Sequence, residues 1–414
     1  MYTSFSTALS ALNAHATAID VVGNNLANLN TPGFKASVAS FYDLVTQSAG
    51  AGMGETQVGF GVARPLTIRQ FSQGAIQTSN GPLDAAIQGD GFLVMRTPAG
   101  ATVYGRGGNL QVDKNGVLMT ATGERVQGWM GANGVVNTTG PIGDITNPTG
   151  ALRAAKATET FSFDLNLNAA ATAGPPADTF SSALEVYDTL GISHIVTVDF
   201  TKTANSGEWS YAVSIPDSDV TSPVTPVTGT INFDSSGRLV NPTAAGPFPA
   251  LAVTGLASGA ADMNLTWNLY NGATPRLTQF AQPSAPSANA QDGNPAANFL
   301  RVGLGDSGKI FAQYSDGQQV QVGQLAMASV RNPESLLSVG NNSYQVSGRS
   351  ATPAIGLPGT GGRGTIMGGA IENSTVDIAR EFTNLIVLQR GYQANSRVIT
   401  TVDEISQETI NLKR

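Results

Sequence analysis

One stretch of the 414-residue chain has the outline of a phosphate loop. Gly303, Gly305 and Gly308 fit GxGxxG, and Gly303 through Lys309 fit GxxxxGK. A phosphate loop also needs Ser or Thr after the lysine to hold the metal, and a helix whose first amides face the phosphate. Here Ile310 follows Lys309, and KIFAQYSDGQ reads as strand and turn. A β-hairpin with Asp-Ser-Gly at its tip accounts for the pattern better. Metal chemistry fares no better. A zinc site needs about four convergent ligands, but the chain has no cysteine and two histidines. His15 lies in a helical pattern and His194 in a strand pattern. Asp113, Asn115 and Gly116 outline a calcium loop without its twelfth-position glutamate, and Asn-Gly in a hairpin explains them. No GxSxG elbow occurs. The residues assemble no nucleophile, base or metal centre, so the chain reads as a non-enzyme with no cofactor.

The strongest patterns lie at the two ends. From Ser374 the chain runs to Arg414 without a proline, and Ser374 with Asp377 has capping-box spacing. Ile378, Phe382, Leu385, Leu388, Tyr392, Ile399, Val402, Ile405 and Leu412 then step by three, four and seven, which draws one apolar stripe along a helix. Phe5, Leu9, Leu12, Ala16, Ile19, Val22, Leu26 and Leu29 repeat the pattern at the start. That run stops at Thr31-Pro32-Gly33, which is type II turn chemistry. Such narrow stripes suit a coiled-coil seam. They need a partner, within the chain or from other copies, and a helical hairpin on an ordinary domain shares the same periodicity. Gly23 and Gly391 interrupt the two helices; each marks either close backbone approach or a tolerated cost of about 1 kcal/mol.

The interior differs. Charged residues make up 12% and glycine is abundant at 48 residues, well away from an average soluble chain. Short runs such as GDGFLVMR, GNLQVDKNGVLMT and GERVQGWM, punctuated by Asn-Gly and Asp-Gly, predict hairpins. The net charge of −7 offers no basic patch for nucleic acid. No apolar run is long enough for a membrane span, and the N-terminus lacks a cleavable signal peptide. The predicted fold is mainly β with long terminal α-helices that pair, and with nested β domains, the middle one inserted into the first. The expected boundaries are 1–33 with 371–414 for the helical domain and 34–70 for a linker or extension. Residues 71–150 with 276–370 make the first β domain, and 151–275 the inserted one. The Pro/Ala/Ser-rich AQPSAPSANAQDGNPAA reads as linker, and SAGAGMGETQVGFG as a flexible loop.

Three long motifs carry a resemblance. NNLANLNTPGFK, from Asn24 to Lys35, FSQGAIQTSNGPLDAAIQGDGFL, from Phe71 to Leu93, and the closing EFTNLIVLQRGYQANSRVITTVDEISQETINLKR resemble the rod and hook proteins of the bacterial flagellum. EVYDTLGISHIVTVDFTKTANSGEW, FDSSGRLVNP and IFAQYSDGQQVQVGQLAMASVRNPESL are similar to the hook branch of that family. Tyr104-Gly105-Arg106 departs from the usual Tyr-Thr-Arg, and residues 168–180 and 215–228 match nothing in it. The resemblance implies a structural subunit that polymerises with copies of itself into a curved, flexible tube passing torque from rod to filament. It further implies export to the cell exterior without a cleaved signal. The implied partners are the distal rod protein, the hook–filament junction protein, the hook cap and the export apparatus. The terminal stripes would be the polymerisation seams, and Asn24, Asn25, Asn28, Thr31, Pro32 and Gly33 the signature turn. The alternatives are a straight distal rod subunit, or a β-type binding protein oligomerised by its helices.

Overall fold

Helix α1 (Tyr2–Ala27) and helix α2 (Ile378–Asn411) stand at the two ends of the chain, and everything between them is strand and turn. The structure is a computed structural model that describes residues 2–44, 46–48, 57–132, 134–148, 150 and 152–411. Leu412, the last residue of the expected stripe, lies outside the described residues, as do residues 49–56 of the expected flexible loop. The chain divides into two units: Met1–Thr149 with Leu300–Gln313 and Gln319–Arg414, and Gly150–Phe299 with Tyr314–Gln318.

The first unit holds both helices and an antiparallel sheet. Its strands run in the order Gln319–Leu325, Arg125–Ala132, Phe92–Arg96, Thr102–Gly105, Ser343–Gln345 and Leu337–Gly340. Three strands from the first half of the sequence lie between strands from the second half, so neither half can complete the sheet alone. Phe92, Val94, Tyr104, Trp129 and Tyr344 fill its core, with the Phe71 ring edge-on to Phe92 and Tyr344. Two short pairings fasten the return of the chain: Thr365–Gly368 on Ala85–Gln88, and Ala370–Glu372 on Ile76–Thr78.

The segment 34–70, expected as a linker or extension, is built around paired strands. Ser37–Ser40 pairs with Leu66–Arg69, and Thr46–Ser48 with Gln57–Gly59. These strands have three or four residues each, too short to show an alternating pattern.

The second unit has two sheets around one core. One is a meander of Thr179–Tyr187, Ser193–Lys202, Glu208–Ser214, Val227–Phe233 and Leu239–Asn241. The other is ordered Ala250–Val253, Met263–Trp267, Thr160–Asn168 and Leu277–Phe280. Strict burial alternation, as in Ser193–Lys202, turns one face inward. Phe161, Phe163, Phe200, Trp209 and Trp267 are among the large side chains inside. The stretch 281–297 is not a linker. Ala285–Gln291 pairs antiparallel with Thr160–Asn168. Its mostly small side chains are exposed as far as Ala290, so backbone hydrogen bonds hold it and no hydrophobic pattern announces it. Through this strand and Leu277–Phe280, residues 276–299 belong to the second unit.

Candidate functional site: the helix pair and the lock at its base

α1 gives way to a run of turns, and Thr31 to Phe34 closes the last of them. Phe34 N–H donates to the Thr31 carbonyl at 3.2 Å, and Gly33 sits at φ +70°. That is the type II geometry that Pro-Gly favours. Glycine is needed twice over, because a Cβ on Gly33 would lie 2.8 Å from the Arg106 carbonyl oxygen. The neighbouring amides serve the same turn. Asn25 is fully buried; its Nδ2 donates to the Ser37 carbonyl at 2.8 Å and its Oδ1 accepts from Ser37 N–H at 3.0 Å. Asn28 Nδ2 donates to the Asn24 carbonyl, Thr31 Oγ1 donates to Asn28 Oδ1, and Asn342 Nδ2 donates to the Pro32 carbonyl. All six signature residues therefore converge on one corner.

Below that corner lies a cluster the sequence reading missed. Lys35 Nζ is 2.7 Å from Glu372 Oε1 and donates also to the Ser72 carbonyl. Gly74 N–H donates to the same carboxylate oxygen at 2.7 Å, and Arg106 Nε is 3.3 Å from Glu372 Oε2. Gly33 N–H donates to the Glu372 backbone carbonyl. All three charged side chains are essentially inaccessible. Burial pulls the Lys35 ammonium below its ordinary value, and Arg106 adds to that, against Glu372, which favours the charged form. Burial lowers Arg106 likewise. A buried ionic cluster of this kind adds little net stability but penalises any arrangement that breaks it. No signal in the sequence joins residues so far apart.

α2 starts later than the capping-box spacing implies. Asp377 Oδ1 accepts from Arg380 N–H and so caps the helix, whereas Ser374 Oγ accepts from Val376 N–H in the preceding turn. The two helices pack together, and Gly391 marks close approach: a Cβ there would be 2.7 Å from the His15 ring. Gly23 has open space around it. The buried face of α1 is a small-residue stripe of Ala8, Ala14, Ala18 and Val22. Of the expected seam residues, Val22 is buried, and Leu12, Ile19, Leu26, Leu385, Leu388, Ile399 and Val402 are half-buried. Phe5, Leu9, Ile378, Phe382, Tyr392 and Ile405 are exposed. The single-stripe expectation is corrected accordingly: small residues let the two backbones approach, and much of the large apolar stripe faces away. Ile386, Val387, Val398 and Ile410 add to what is left uncovered on α2.

The outlines of chemistry resolve into structure. Asp306–Gly308 is a single 3-10 turn between strands Ala297–Leu304 and Lys309–Tyr314, with Gly305 N–H donating to the Lys309 carbonyl. Asp113 Oδ1 accepts from its own turn's Asn115 and Val117 N–H groups. His194 lies between Asp219 (3.1 Å) and Asp188 (3.3 Å). Among the described residues no group of three or more His, Cys, Asp or Glu is arranged to hold a metal ion, and no helix is long and apolar enough to cross a membrane.

Four family profiles match successive parts of the chain. They are flagella basal body rod protein (residues 5–35), flagellar hook protein FlgE/F/G D1 domain (86–161), flagellar basal body protein FlaE D2 domain (165–294) and flagellar basal body rod FlgEFG protein C-terminal (367–412). With the paired terminal helices, they define a protein of the flagellar rod and hook class. Full-length relatives narrow this. The flagellar hook protein FlgE of Escherichia coli (strain K12) is 32% identical over 99% of this chain and 100% of its own length. That of Treponema pallidum (strain Nichols) is 31% identical over the whole of both chains. The chain belongs to the flagellar hook protein family, whose members are structural subunits of the hook. The crystal structure of Helicobacter pylori flagellar hook protein FlgE2 shares the fold, at a TM-score of 0.54 and 14% identity over 70% of this chain and 99% of that one.

Proposed function

We propose that this chain polymerises with copies of itself into the hook, a curved flexible tube outside the cell that passes torque from rod to filament. The exposed apolar residues of the helices carry this reading. Phe382, Ile386, Val387, Val398 and Ile405 are each 43–62% exposed on one 34-residue helix. Helices of this length are stabilised mainly by packing, and a surface so apolar asks for a partner. In a homopolymer the neighbouring copy supplies it. Phe5, Leu9, Leu12, Ile19, Val22, Leu26, Ile378, Phe382, Leu385, Leu388, Tyr392, Ile399, Val402 and Ile405 then divide between the contact within a subunit and the contact between subunits.

Family membership supports self-assembly in the setting of the basal body. On the same ground the subunit leaves through the flagellar export apparatus without a cleaved signal, assembles beneath the hook cap, and abuts the distal rod protein and the hook–filament junction protein. Its work is mechanical and needs no cofactor. Concentrated full-length protein examined by negative-stain electron microscopy should show short curved tubes. Straight rods would move the assignment to the distal rod, and persistent monomers would overturn it.

A further inference from the structure

The only fully buried residue described in α2 is a glutamate, not one of its many apolar residues. Glu381, in the first turn, is 3% exposed. Its carboxylate has no hydrogen-bond or ion-pair partner among the described residues. It lines a cavity of about 230 Å³ whose walls include Ala18 and Val22 of α1, Ala39 and Phe41 of the following strand region, and Leu388 of α2. The 3% that stays accessible leaves the carboxylate at most a narrow contact with water, and no cation among the described residues meets it. The helix N-terminus favours the anion, and the cavity around it is mostly apolar, with Ser37 and Asn384 as its other polar residues and Glu381 as its one charge.

We propose that this cavity is a socket for a basic side chain of a second copy. The aliphatic stem of an arginine or lysine would lie along Ala18, Val22 and Leu388, and its cationic head would meet Glu381. The chemistry selects a cation, and the position selects the same chain. Both helices form the walls, so the socket adjoins the uncovered apolar faces proposed above as the subunit contact; the inference rests on that reading. The chain also carries unmatched cations near this surface. Arg64, Arg390 and Arg397 are exposed and have no acidic partner among the described residues. Arg390 and Arg397 lie nine and sixteen residues beyond Glu381 on the same helix, roughly 13 and 24 Å along its axis. Neither pairs with Glu381 of its own chain.

The test is a coupling measurement on full-length protein, reading the concentration at which tubes begin to pellet. Glu381→Gln keeps the shape and removes the charge, and should raise that concentration about tenfold, the loss expected for one charge-assisted hydrogen bond. One of Arg64→Gln, Arg390→Gln or Arg397→Gln should do the same. Combined with Glu381→Gln, it should add no further loss. Tubes from Glu381→Gln at the wild-type concentration would sink the socket and leave the hook-subunit reading intact. So would three arginine variants whose effects all add in full to that of Glu381→Gln. A loss of helix signal in unassembled Glu381→Gln would make the residue a support of its own chain, and overturn the proposal. Wild-type protein that never forms tubes would overturn both readings.

Discussion

Lys35 and Glu372 lie 337 residues apart in sequence and 2.7 Å apart in space, with both side chains fully buried. This contact joins the turn after α1 to the strand before α2. Removing one charge leaves the others stranded. Glu372→Gln should lower the stability of the first unit by about 3–5 kcal/mol in urea denaturation. Arg125→Gln, which opens the half-exposed pair with Asp144, should cost less than about 1 kcal/mol. Equal losses would mean that burial does not decide the matter.

The same ammonium gives a pH dependence. Lys35 in the folded chain sits below the ordinary value of 10.5, through burial and then Arg106. The unfolded chain therefore keeps this proton to higher pH than the folded one. Where the unfolded state binds more protons, stability rises with pH. The Lys35 contribution should grow with alkalinity between its lowered folded value and 10.5, and Lys35→Met should abolish that part of the slope. An unchanged slope in the variant would assign it to another group.

Gly391 and Gly23 should respond oppositely to alanine. At Gly391 the new methyl would meet the His15 ring at 2.7 Å, and overpacking of this kind costs about 1–3 kcal/mol. At Gly23 nothing lies within 4 Å, so the gain in helix propensity, up to about 1 kcal/mol, should appear undiminished. Thermal melting of assembled material followed by circular dichroism at the helix band would rank the two.

Val387 is 62% exposed and Phe382 is 51% exposed. Val387→Asp should leave the strand-rich circular dichroism of the subunit unchanged and abolish tubes, since each copy repeats the buried charge at a cost of several kcal/mol. Normal tubes would place this face in solvent.

Arg153 pairs with Ala297 across antiparallel strands, so the two ends of the segment between them are neighbours. Replacing residues 154–296 by a short Gly/Ser link should leave the first unit folded, because insertions with adjacent ends are independent of their host. The excised segment should fold alone and unfold in one cooperative step. Collapse of the shortened chain would show that the first unit depends on it.

The helix pair was legible because its apolar residues step by three and four over long proline-free runs, and the signature turn because Pro-Gly permits few conformations. The start of α2 was misplaced because Ser374 and Asp377 are both capping residues, and side-chain spacing does not say which one faces the free amides. The buried stripe was misjudged for a different reason. Ala8, Ala14 and Ala18 carry little hydrophobic weight in a pattern but allow two backbones to meet. Strand Ala285–Gln291 escaped because it buries almost nothing. The Lys35–Glu372–Arg106 cluster and the Glu381 cavity escaped because both depend on residues brought together by the finished topology.

The lock at Glu372 also sets an order of events in time. A chain that emerges from a ribosome or a secretion channel N-terminus first presents Lys35 and Arg106 early. It delivers Glu372 only after about nine-tenths of its length, with a loop of more than three hundred residues still to close. Until then the sheet lacks its later strands and the buried cations lack their anion. The first unit stays pliable while the chain is still emerging, and becomes rigid only once Glu372 has joined it.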